Sequence, residues 1–156
     1  MEAIADVDSQ NLLFTGWRQV EKEITFVGGT ADGIGDYDGS GNPFSIFTVT
    51  GDVEVEVVAI GKTNLVGSSA TLEVGISGNT AALIAQSSAE AIDAGEIWHD
   101  ATPDSGIELS SVVTQNIIAN GADIIGTVGT ANITSGAIRF LCLWRPLSRN
   151  GVVVAA

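Results

Sequence analysis

The run Val53-Glu54-Val55-Glu56-Val57 alternates strictly between apolar and charged residues, and one regular backbone sorts such a sequence cleanly into two faces. Successive side chains of a β-strand point to opposite sides, so the valines share a face that needs cover and the glutamates share one that faces water. A helix would scatter both types around its circumference. The same period, punctuated by turn residues, recurs from about residue 20 onward. Further strands are expected over residues 24–27, 44–50, 70–77, 81–85, 96–99, 107–113, 124–130 and 137–144, each rich in β-branched or aromatic residues. With the valine run they make about nine. Gly28-Gly29, Gly39-Ser40-Gly41, Gly67-Ser68-Ser69, Gly78-Asn79, Asn120-Gly121 and Ser135-Gly136 separate them with residues suited to turns. Two segments break the pattern: 9–23 has the spacing of a short amphipathic helical turn, and 87–94 is alanine-rich.

Many short strands at close spacing point to an all-β domain: a β-sandwich, a jelly roll in particular, or a small barrel. The expected organisation is an extended N-terminal arm over residues 1–19, a β-sandwich domain over 20–147 and a C-terminal tail over 148–156. The arm contains Leu12, Leu13, Phe14 and Trp17, and the tail ends on Val152-Val153-Val154-Ala155-Ala156, so both carry apolar side chains that need cover.

At 156 residues, 45% hydrophobic and 16% charged, the chain has the composition of one domain with a packed core. Its formal charge of −13 disfavours direct nucleic-acid binding, which is built largely on Lys and Arg displacing counterions from phosphates. Every Asp and Glu lies at or before Asp123, whereas the remainder carries Arg139, Arg145 and Arg149. A basic end on an acidic subunit suits docking against a neighbouring copy. The single cysteine, Cys142, lies in an apolar run where a thiol behaves as a small buried hydrophobe. The N-terminal residues MEAIADVDSQ lack the basic-then-apolar pattern of a secretory signal, and no run has the length of a membrane span. The expected location is the cytosol of the producing cell, with no membrane partner.

The chemistry-bearing motifs are thin. His99, in Glu96-Ile97-Trp98-His99-Asp100, is the only histidine and therefore the only ordinary general base. A hydrolase would pair it with a carboxylate and a serine such as Ser110 or Ser111, and no nucleophile-elbow context surrounds either serine. With one His and one Cys, a zinc site would have to recruit several carboxylates. Asp36-Tyr37-Asp38-Gly39-Ser40-Gly41-Asn42 matches the front half of a calcium loop, with oxygen ligands at Asp36, Asp38 and Ser40. The position that requires a bidentate glutamate falls on Phe47. Gly61-Lys62-Thr63 resembles the end of a phosphate-binding loop, but Glu56 stands where its first glycine belongs. Glu54 and Glu56 share a strand face and read as solubilising rather than as an acid/base pair. On the sequence, no residue is assigned as catalytic, cofactor-binding or metal-ligating, and no enzymatic activity is expected.

Residues 47–147, about two-thirds of the chain, resemble the small head-module proteins of tailed bacteriophages. The similarity is carried by Gly51-Asp52-Val53 with its following valines, Glu96-Ile97-Trp98-His99-Asp100-Ala101-Thr102-Pro103-Asp104, Asn116-Ile117-Ile118-Ala119-Asn120-Gly121 and Leu143-Trp144-Arg145-Pro146-Leu147. The resemblance implies a β-sandwich or barrel with an extended arm, acting as a capsid decoration or cement protein. It further implies a homotrimer on the outer surface of the virion, assembled in the host cytoplasm with the major capsid protein as partner. The family supplies no catalytic motif to transfer. The alternative is a tail or fibre module that binds a host receptor or glycan, with Trp17, Trp98 or Trp144 in an exposed groove.

Overall fold

The computed structural model describes residues 16–39 and 42–156. Eleven strands occur among them: β1 (Arg18–Thr25), β2 (Phe44–Thr50), β3 (Val53–Val66), β4 (Thr71–Ile76), β5 (Asn79–Ser88), β6 (Glu96–Trp98), β7 (Asp104–Ser105), β8 (Gln115–Ile118), β9 (Ile124–Gly129), β10 (Ser135–Pro146) and β11 (Val152–Ala155). They form two antiparallel sheets of a β-sandwich. The first runs β1-β10-β3-β6-β7, with β8 also paired to β3, and the second runs β11-β2-β9-β4-β5.

The valine–glutamate alternation opens β3, the longest strand, which continues inward-outward to Ile60. Its inner residues Val53, Val55, Val57 and Ala59 are buried together with Ile138, Phe140, Cys142 and Trp144 of the neighbouring β10. Facing them from the second sheet are Ile46, Phe47, Val49, Leu72, Val74, Ile84, Ile124 and Val128. Burying each such side chain contributes about 1.5–3 kcal/mol. β2 departs from alternation because its pairing with β9 shifts register between Ser45 and Phe47, and Ile46 and Phe47 are both buried. Cys142 lies fully inside, and loss of hydration pushes its thiol up to about 12, so it stays protonated at neutral pH.

Several expectations change. Residues 18–23, expected as part of a helical turn, are the first six positions of β1, and residues 16–17 precede the strand without regular structure; residues 9–15 lie outside the described residues, as does most of the expected arm. Val20 and Ile24 face inward, and Lys22 between them donates from Nζ to the carbonyl of Ala156, tying the edge strands of the two sheets. The alanine-rich stretch 87–94 finishes β5 and makes one 3-10 turn, Ala89–Ala91. Residues 107–113 form a loop with a 3-10 turn at Ser110–Val112 rather than a strand. β3 has its edge already divided between β8 and β6, which leaves this segment no ladder to join. The expected tail instead supplies β11, which covers the edge of β2 and buries Val153.

Candidate interaction surface

Strand pairing sets the outer face of the first sheet in rows. At one end Trp17, Arg145, Glu54 and Ile117 follow one another, since Arg145 pairs with Glu54 and Glu54 with Ile117. The Arg145 guanidinium lies 5.3 Å from the Trp17 ring centroid, and its Nε makes an ion pair with Glu54 Oε2. Next come Gln19, Leu143, Glu56 and Gln115, where Gln115 Nε2 donates to Glu56 Oε1 at 2.8 Å. Glu21, Leu141 and Val58 follow. Both glutamates of the opening motif are therefore engaged across strands. Arg145, the central base of the C-terminal segment, is matched within its own chain rather than left for a neighbour.

Over these rows lies the loop that was expected to be a strand. With it the sheet encloses a groove of about 260 Å³ lined by Gln19, Glu56, Val58, Ser110, Val113, Leu141 and Leu143. Apolar side chains of this loop, of β8 and of β10 are open to water: Ile107 is 83% exposed, Ile117 71%, Leu109 69%, Val112 42% and Leu143 40%. Scattered apolar residues are ordinary on protein surfaces, but here Leu143 lines the groove itself, and Leu109 and Val112 adjoin Ser110 and Val113, which also line it. Sequence reasoning missed this face because it assigned 107–113 to a strand, which would have turned alternate residues into the core. The signal present was the excess of apolar residues over the places a sheet could bury.

The other motifs resolve separately. Asp36 Oδ2 accepts from the amide of Asp32 at 2.9 Å within the connection between β1 and β2, and Asn42 Oδ1 accepts from the amide of Val128 in β9 at 2.7 Å. Ser40 and Gly41 lie outside the described residues. Gly61 sits inside β3, not at a strand-to-helix turn. Trp98 and Trp144 are buried, at 0% and 4% exposure, so the tryptophans offer no shared platform for stacking sugars.

His99 follows β6 and faces two carboxylates: its Nε2 is 3.6 Å from Asp104 Oδ2 and 3.8 Å from Glu108 Oε2. Ser110 instead lines the groove, and Nε2 has no hydrogen-bond partner. Lost hydration, hydrogen bonding with Glu108 and repulsion from Glu108 and Asp100 raise the Asp104 carboxyl above its ordinary range. The Glu108 carboxyl is held low, first by the backbone amide of Leu109. A base facing two carboxylates has the donor set of a cation-binding arrangement.

No protein-family model matches the chain, and no curated protein matches it. Among solved structures it is similar to a chain of the cyanophage Pam1 capsid asymmetric unit, with a TM-score of 0.42 and 15% identity over 83% of this chain and 84% of that one.

Proposed function

We propose that the chain is a non-enzymatic structural protein of a phage virion, a decoration or cement protein that binds the outer surface of the head as a homotrimer. The observation that carries this reading is the set of exposed apolar side chains Ile107, Leu109, Val112, Ile117 and Leu143, the last of them lining an apolar groove, on an otherwise acidic domain. Such a face gains free energy when a second protein covers it, and the surrounding charge keeps the free subunit soluble. The occupant is a neighbouring copy: a symmetric assembly presents the same face from each subunit and closes on itself. The likeness of residues 47–147 to phage head-module proteins supports the same role. Many copies, each making a weak contact over a shell, add by multivalency.

The test is the double variant Leu109→Asp/Ile117→Asp. Both side chains are exposed, so the variant is expected to fold and to melt within a few degrees of the parent. It is expected to sediment as a monomer where the parent is a trimer, and to bind heads at least about tenfold more weakly, the result of losing roughly 1.4 kcal/mol or more per subunit. A folded double variant that still trimerises and coats heads like the parent would show that this face is not the interface.

A further inference from the structure

The single histidine is placed in a way that packing alone does not explain. Its side chain is 7% exposed, and the buried Nε2 has no hydrogen-bond partner. Charge-assisted hydrogen bonds to carboxylates are about 2.7–2.9 Å long, yet here the oxygens stand at 3.6 and 3.8 Å. One ligand atom from each of His99, Asp100 and Asp104 can be chosen so that all lie within 4.8 Å of one another. Ligands about 2.0–2.2 Å from a tetrahedral zinc ion are ~3.4 Å apart, so small side-chain rotations bring these atoms into a coordination sphere.

We propose that His99, Asp104 and Glu108, with Asp100 beside them, form a binding site for a divalent transition-metal cation of the zinc class. Imidazole nitrogen favours zinc-class ions over magnesium and calcium, which prefer all-oxygen sites. The three carboxylates supply the negative charge that a divalent ion neutralises. Ile97 pairs with Asp104 across the β6–β7 hairpin, and His99, two residues further on, brings Nε2 to 3.6 Å from Asp104 Oδ2.

A supporting shell is already in place. The buried Trp98 donates from Nε1 to Ser87 Oγ at 2.7 Å, and Ser87 Oγ donates to the Asp100 carbonyl at 3.0 Å, anchoring the backbone on either side of His99. Asp100 Oδ1 accepts from the Thr102 amide at 2.7 Å, and Glu108 Oε1 accepts from the Leu109 amide at 2.5 Å, which leaves Glu108 Oε2 to face the histidine. Outer-shell contacts of this kind orient metal ligands. A bound ion would clip the loop carrying Ile107, Leu109 and Val112 to the β6–β7 hairpin.

The experiment uses the untagged full-length protein, stripped with chelator and titrated with zinc chloride, read by calorimetry and by the ring nitrogen resonances of its single histidine. One equivalent is expected to bind, with a large shift at His99 Nε2 and a melting temperature that rises with zinc concentration. His99→Gln and Asp104→Asn are each expected to weaken binding at least about tenfold while melting near the parent in chelator. The buried Cys142 does not compete. Ring resonances unmoved by zinc, or His99→Gln binding as tightly as the parent, would overturn the site. Because the parent's ring signal decides the matter alone, the proposal stays testable even where a variant fails to fold.

Discussion

Replacing Trp98 with alanine is expected to cost about 3–5 kcal/mol of folding stability, a large part of what a domain of this size possesses. The indole, on β6 beside Ala59 of β3, is fully buried, with its ring centroid 6.4 Å from that of Phe140 in an edge-on arrangement. Truncation leaves a cavity, and it also deprives the buried Ser87 hydroxyl of its donor. Trp98→Phe separates these contributions. It keeps most of the ring volume and loses the hydrogen bond, so a smaller cost of about 1–3 kcal/mol is expected. Urea denaturation of the three proteins measures both terms. An alanine variant within about 1 kcal/mol of the parent would mean that Trp98 does not anchor this core.

Gly61→Ala is the second change with a large expected effect, although it adds a single methyl group. A Cβ at this position would stand 2.0 Å from the carbonyl oxygen of Asp93, and backbone cannot rotate away as a side chain can. The segment after the Ala89–Ala91 turn crosses β3 here, and the Gly95 amide donates to the Gly61 carbonyl at 2.9 Å. An added methyl must push that crossing outward and break the bond. The expected cost is about 3 kcal/mol, at the upper end for overpacking, again measured by denaturant unfolding. The displacement falls just before β6, so the His99 ring resonances should shift in the same variant. A Gly61→Ala protein with parental stability would contradict the close crossing.

These two residues show what the sequence makes legible. The alternation at Val53–Val57 identifies a half-buried strand without help, because period and polarity agree. Phe44–Thr50 and the body of β10 are equally plain from their β-branched and aromatic content. β1 is obscured by Lys22, which occupies an inward position and donates to the Ala156 carbonyl, a contact 134 residues away. Gly61 looks like part of a phosphate loop, and its actual reason, the approach of Asp93, is likewise non-local. The expected strand over 107–113 fails for a related cause: whether an apolar run becomes a strand depends on a free partner edge, and β8 and β6 had taken the one on β3.

The proposed cation site is half visible in the sequence. The histidine and the need for several carboxylates could be read directly, and Asp100 and Asp104 lie within five residues of it. That they converge with Glu108 depends on the turn between β6 and β7 and on the loop that follows. The interaction face was less visible still, since it is made from apolar residues that the fold declines to bury.

Electron cryomicroscopy of the intact phage particle, with the chain fitted to density, tests the proposed role most directly. The account predicts density for this sandwich in three-fold clusters across the outer shell, with the face bearing Leu109, Ile117 and Leu143 buried between copies. A few copies confined to the tail, or a particle without the chain, would contradict it.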